Sequence, residues 1–297
     1  MMDIGLAELF DPPFELDLPE SGPAAVIFNS PHSGSIYPQS LLDASRLDRL
    51  GLRRSEDVDV DILFSGVIEH GGSLMRVKFP RAYLDVNREP YELDPRMFSG
   101  RLPLFANTQS LRVASGLGTV PRTVGEGYDI YHTSPTIDEA LERIEGLYKP
   151  YHRALSRAVL TAQRRHGMAV LVDCHSMPSA AVSRSDRLSC DVVIGDRFGT
   201  STDPAISDCI EASLRNMGYN VARNRPYAGG FITEHYGDPS SGAHAVQIEI
   251  NRALYLDERR IERLHGFDGL KDDMTRMAQE LMAFVDAELK PFALAAE

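Results

Sequence analysis

AAVIFNSPHSG at residues 24–34 and AVLVDCHSMP at residues 169–178 decide how this chain folds. Each begins as a short apolar, β-branched run of the kind that forms a buried strand. Each stops at a histidine, His32 in the first and His175 in the second. Open α/β sheets gather their chemistry at the C-terminal ends of their strands. Two histidines delivered in this way, far apart in sequence, can meet over one sheet edge. With a carboxylate they would make a three-ligand site with an open position, which is what catalytic zinc needs.

Working outward, residues 1–22 read as an irregular arm rich in proline and acid. Residues 40–50 are amphipathic and helical. A second helix is expected from a Ser55 cap through Asp61, Phe64 and Ile68 to a stop at Gly71-Gly72. Residues 73–78 and 82–86 read as strands. Residues 90–130, rich in Pro, Gly and Arg, form a long loop of the kind that covers a site. Residues 135–166 are helix-periodic with an interruption at Pro150, and residues 204–218 and 257–289 are helical. Further strands fall at 170–172, 192–194, 219–222 and 243–250, with a loop at 227–236. Strands interleaved with helices imply an α/β chain, a three-layer αβα arrangement in a single domain over residues 1–297.

The chain of 297 residues is 43% hydrophobic and 25% charged, an ordinary globular composition with length for a full core. Its 43 acids against 31 Lys and Arg leave a net charge of -12, which argues against nucleic acid and anionic membranes as partners. Three cysteines, Cys174, Cys190 and Cys209, are odd in number and show no CxxC, which points to a reducing cytoplasm rather than a disulfide framework. The opening MMDIGLAELFDPPFELDLPE is acidic and unlike a signal peptide, and no apolar run approaches the roughly 18 residues of a membrane helix.

For the third metal ligand, RSEDVDVD at residues 54–61 offers Glu56, Asp57, Asp59 and Asp61. Acids are favoured at a helix start by its dipole in any case, and only one needs to face a metal. Asp173 shares a strand face with His175 and can orient its imidazole. In FPRAYLDVNREP, residues 79–90, a strand pattern ends at Asn87-Arg88 with Arg81 one strand-length earlier. Two arginines so placed can hold a substrate carboxylate and polarise a scissile carbonyl. The competing reading pairs them with the chain's excess acids. In AHAVQIEINR, residues 243–252, Glu249 lies within a β-branched strand, where a carboxylate is costly without a partner or a task. It is the candidate general base; a salt bridge to Arg252 or Arg225 is the alternative. Gly229-Gly230, flanked by Tyr227 and His235, suits a loop whose backbone approaches a ligand closely. His235 and His244 are alternative metal ligands. Cys174, between Asp173 and His175, reads as a packing residue. The glycines at 195 and 199 lack the lysine of a P-loop.

Together the blocks NSPHSG, SEDVDVD, PRAYLDVNREP, LVDCHSMP, NRPYAGGFITEHYGDP and HAVQIEINRALYLDE resemble the N-formylglutamate amidohydrolase family, which is similar to zinc carboxypeptidases and aspartoacylase-type deacylases. The resemblance implies a mixed central sheet between helices, a phosphorylase/hydrolase-like fold. It also implies one Zn2+ per chain, or another divalent metal, held by His32, Asp57 and His175, with Glu56 as alternative carboxylate. Arg81 then matches a carbonyl-polarising arginine, Asn87 and Arg88 a carboxylate clamp, and Glu249 the catalytic glutamate. The first histidine and its carboxylate are not three residues apart as in the carboxypeptidase signature, which favours an amidohydrolase over a peptidase. The implied reaction cleaves N-formyl-L-glutamate to formate and glutamate, the last step of one histidine-degradation route. Arg225, Arg122 and Arg184 are candidates for the side-chain carboxylate. The rivals are a deacylase of another N-acyl amino acid and a non-catalytic metal- or ligand-binding protein.

Overall fold

The computed structural model describes residues 9–183 and 190–289. The described chain divides into two compact units that interleave along its length, one of residues 9–15, 31–58 and 76–154, the other of residues 16–30, 59–75, 155–183 and 190–289.

The second unit is organised by most of a seven-stranded mixed sheet: β1 (Phe14–Asp17), β2 (Val26–Ser30), β3 (Ser73–Val77), β4 (Ala169–Met177), β5 (Val192–Gly195), β6 (Val221–Arg223) and β7 (Ala243–Asn251). Their spatial order is β1-β3-β2-β4-β7-β5-β6. β2, β4 and β7 run parallel, as do β5 and β6, while β5 is antiparallel to β7. The α/β class and the mixed sheet expected from the sequence are both present. β2, β4 and β7 are buried along their whole length. Such strands read as near-continuous apolar runs because both faces are covered. The helix Phe267–Phe284 packs on the helices Pro204–Asn216 and Val60–Leu63. It does so through Phe267, Leu270, Met274, Met277, Ala278 and Leu281, a stripe at three- and four-residue spacing.

The first unit is built from turns and short helices. Thr136 and Glu139 form a capping box at the start of Ile137–Arg143, and a π-helical turn, Ile144–Tyr148, leads into Lys149–His166. The wider turn just before Pro150 lets the helix path continue past a residue that has no N–H to give. Phe10 sits edge-on to Phe79, and the Arg143 guanidinium lies 3.9 Å over the ring of Tyr83. Residues 90–130 are tied down by Asp94, which accepts from Arg96 and Arg122, and contain a short helix, Leu111–Ala114, and a small hairpin.

Several local expectations are corrected. The arm at 1–22 contains β1, a short strand whose Phe-Glu-Leu-Asp alternation is hidden behind Pro12-Pro13. The helix expected from Ser55 is only Val60–Leu63 followed by a 3-10 turn, and it starts at Asp59, held left-handed at φ 58°. Residues 82–86 are not a strand. Tyr83 and Leu84 both donate their N–H to the Pro80 carbonyl, so the chain turns there. The loop at 227–236 ends in a helix, Phe231–Tyr236. β4 does not stop at His175 but pairs with β7 through Met177.

Candidate functional site

Two clusters of polar side chains take shape, one in each unit. In the first, the chain leaves β2 at Ser30 and turns through Pro31 to His32. Gly34 makes the turn possible: a Cβ there would lie 2.1 Å from the Phe79 carbonyl oxygen. His32 is buried, and its Nε2 meets Asp85 Oδ1 at 2.8 Å. Asp57 donates its backbone N–H to the His32 carbonyl and brings Oδ2 to 3.4 Å from His32 Nδ1. Asp85 Oδ1 can only accept, so a proton on Nε2 satisfies that 2.8 Å contact and would leave Nδ1 as the nitrogen facing Asp57. Lone pairs turned toward one another in this way are what a cation bridges.

Asp85 is the hub of this cluster. Oδ1 also accepts the Asn87 N–H at 2.8 Å, while Oδ2 accepts from Arg81 Nε at 2.9 Å and lies 3.4 Å from an Arg88 terminal nitrogen. Burial pushes its carboxyl pKa up, but Arg88, Arg81 and His32 together hold it well below the usual range. Burial brings the Arg88 guanidinium down to about 10, against the opposing pull of Asp85. Arg88 also donates to the carbonyls of Leu117 and Asn87. The backbone is pinned from outside by Tyr148 Oη on the Arg88 carbonyl and His152 on the Val86 carbonyl. Reading the sequence alone missed Asp85. The available signal was an acid inside an apolar run, four residues after one arginine and three before another.

Glu56 and Asp57, undistinguished in the sequence, separate here. Glu56 is taken by Arg53 through both oxygens and by the Tyr37 hydroxyl. Asp59 pairs with Arg263. Among the described residues, His32, Asp57 and His175 form the group whose side chains could hold a metal ion, and within the first unit the ligand atoms of His32 and Asp57 lie 3.4 Å apart. Two imidazole nitrogens and a carboxylate oxygen are the donor set of a catalytic zinc. His235 and His244 are not in that group. His235 is exposed and stacks on Phe231, and His244 Nδ1 accepts the Asp203 N–H.

In the second unit the parallel register sets two rows across the sheet. Asn29, Asp173 and Gln247 stand side by side on β2, β4 and β7, and His175 stands beside Glu249 one step further on. Neighbours in a parallel register share a face. His175 Nε2 meets Asp173 Oδ2 at 2.8 Å, and Asn29 donates to the other oxygen at 2.8 Å. This bond leaves Nδ1 of His175, like that of His32, as the nitrogen a metal would take. The expected orienting role of Asp173 is therefore present in the geometry. Gln247 Nε2 donates to Glu249 Oε1 at 2.8 Å, and Gln247 Oε1 accepts the Gly230 N–H at 2.8 Å. Arg252 donates to the Ser176 hydroxyl. Tyr227 packs against the apolar cluster of Met177, Val182, Cys190 and Val193. Cys174 is fully buried, and burial pushes its thiol well above the ordinary range, which suits packing rather than nucleophilic attack. Of the three arginines named for a second carboxylate, Arg122 is engaged by Asp94 and Asp129, Arg225 is exposed, and Arg184 lies outside the described residues.

The sequence model of the N-formylglutamate amidohydrolase family matches residues 24–256. The chain belongs to the N-formylglutamate amidohydrolase family. As a member it is an amide hydrolase, and His32, Asp57, Arg81, Asp85, His175 and Glu249 all lie within the matched span. The N-formylglutamate deformylase of Pseudomonas aeruginosa is 27% identical over 241 residues, covering 80% of this chain and 84% of that protein. The enzyme of the same name from Pseudomonas putida is 29% identical over 244 residues, with the same coverage. The crystal structure of N-formylglutamate amidohydrolase from Ralstonia eutropha superposes with a TM-score of 0.86 at 37% identity, over 92% of this chain and 98% of that one. A gene product of Agrobacterium tumefaciens, 20% identical with a TM-score of 0.63, shares the fold over 95% of each chain. Among the described residues no helix is long and apolar enough to cross a membrane.

Proposed function

We propose that this chain hydrolyses N-formyl-L-glutamate to formate and L-glutamate with a divalent metal, zinc by preference, held by His32, Asp57 and His175. The observation that carries the reading is the pair His32 and Asp57, whose ligand atoms lie 3.4 Å apart, with His175 held by Asp173 at 2.8 Å in the second unit. Both histidines are held by buried carboxylates in the tautomer a metal needs. The substrate follows from the deformylase relatives. When bound, the metal supplies Lewis acidity, lowering the pKa of water and polarising an acyl oxygen.

The chain's own side chains do the rest. Glu249 takes a proton from the attacking water and returns it to the departing amide nitrogen, for which a carboxylate steadied by one amide donor is suited. Arg81 faces the developing charge on the formyl oxygen. Asn87 and Arg88 hold the α-carboxylate; with Nε on Leu117 and one terminal nitrogen on Asn87, the Arg88 fork is already oriented. Tyr227, Gly229, Gly230 and His235 cover the substrate. We read residues 1–297 as one amidohydrolase domain acting in the cytoplasm on a small N-acyl amino acid, at the last step of a histidine-degradation route.

The deciding experiment couples bound metal per chain to formate release from N-formyl-L-glutamate, in wild type and His175→Ala. About one metal per chain with turnover, both lost in the variant, is the expected result. Metal without formate release would transfer the reading to another acyl amino acid. Folded protein that takes up no zinc would overturn it.

A further inference from the structure

We propose that Gln247 is a positioning residue, a single amide that ties the glycine loop at 227–230 to Glu249. The inference rests on Glu249 being the proton-transfer group. Gln247 is buried in the middle of β7, where an amide is costly unless both of its ends are bonded. Both ends are. Its carbonyl accepts the Gly230 N–H and its NH2 group donates to Glu249 Oε1, each at 2.8 Å. The orientation of the amide is forced, because a backbone N–H can only donate and a carboxylate can only accept.

Each end is fixed independently. Glu249 and Gln247 are two apart on one strand and share a face, so the amide spans the gap along the strand and holds one carboxylate oxygen. The loop end is a built conformation. Gly229 has φ 126°, and a Cβ there would lie 2.5 Å from Thr233 Oγ1. The Ala228 carbonyl accepts the Arg197 N–H, and the Thr233 hydroxyl donates to the Gly230 carbonyl. A displacement of the loop therefore pulls on the amide, and the amide carries it to the carboxylate. The loop that would cover substrate and the group that would move the proton are one hydrogen-bonded assembly.

Two variants separate the bonds. Gln247→Met keeps the shape of the side chain and loses both bonds. Gln247→Glu keeps an acceptor for Gly230 and sets a second carboxyl against Glu249, where the pair shares a proton, so its effect is read in the pH profile of kcat. The measurements are kcat and KM for N-formyl-L-glutamate, bound metal, and the effect of Gln247→Met in a Glu249→Gln background. A misplaced proton-transfer group costs about a hundredfold, so Gln247→Met is expected to lose about that much in kcat with KM and metal content near wild type, and Gln247→Glu to shift the pH profile of kcat. In the Glu249→Gln background Gln247→Met should cost nothing further, because the carboxylate it positions is gone. An equal loss in both backgrounds, or wild-type kcat in Gln247→Met, refutes the inference. If Gln247→Met does not fold, Gln247→Glu carries the test, and a kcat unchanged in both size and pH profile there refutes it too. A Glu249→Gln enzyme with wild-type kcat removes the underlying assignment. An inactive Glu249→Gln beside a fully active Gln247→Met removes this inference alone.

Discussion

Replacing Asp85 with Asn tests the centre of the first cluster. The carboxylate has two duties: it accepts from His32 and the Asn87 N–H on one oxygen and balances Arg81 and Arg88 with the other. An amide cannot do both. With its oxygen toward His32, its NH2 group faces two guanidinium groups that can only donate; turned over, it loses His32. Removing one partner of a buried ion pair costs roughly 3–5 kcal/mol. The Arg88 side chain is 10% exposed and that of Arg81 25%, so water relieves part of the charge on Arg81. The lower end, about 3 kcal/mol, is the expected loss. At about 2–4 °C per kcal/mol, this lowers the Tm of metal-free protein by roughly 6–12 °C. His32 loses its anionic partner as well, which weakens metal binding by about tenfold to a hundredfold. Thermal unfolding of apo protein reads the first effect, and zinc competition against a chromophoric chelator reads the second. Wild-type Tm together with wild-type zinc affinity would show that Asp85 neither balances the arginines nor orients His32.

Three further outcomes follow from other contacts. Arg88→Lys cannot reproduce bonds to both Leu117 and Asn87, so KM should rise by about tenfold or more while kcat changes less; equal KM would separate Arg88 from substrate binding. Gly34→Ala forces a Cβ against the Phe79 carbonyl and should destabilise the fold by about 1–3 kcal/mol and lower the metal content, read by unfolding and metal analysis of purified protein. Burial holds the His244 pKa below 6.5, against the opposing charge of Asp203, and neutral Nδ1 accepts the Asp203 N–H. A depressed folded-state pKa means the unfolded chain takes up the proton first. This contribution is therefore fully present above pH 6.5 and is lost as pH falls from there through the folded-state value. His244→Asn, whose carbonyl can accept the same N–H, should flatten that fall in Tm measured from about pH 8 to pH 5.

The parts of the site legible in the sequence are those written into local periodicity. Two-residue alternation put Asp173 on the face of His175 and Gln247 on that of Glu249, and the hydrogen bonds follow those faces. What alternation cannot convey is whether a polar residue already has a partner elsewhere. Asp173, His175 and Ser176 looked like the polar end of a strand. Yet Asn29 reaches Asp173 from 144 residues away and Arg252 reaches Ser176 from 76, so β4 carries its polar residues inside the sheet and continues to Met177. The same limit hid Asp85, whose histidine is 53 residues distant. Read as a strand, residues 82–86 offered two arginines to a substrate; turned at Pro80, they wrap both arginines around one acid. The two roles are compatible. Arginines balanced by a buried carboxylate are held rigid before any ligand arrives, and the carboxylate that holds them also holds His32. Loss of charge at Asp85 should therefore weaken metal and substrate binding together, whereas loss of Arg88 should touch the substrate alone.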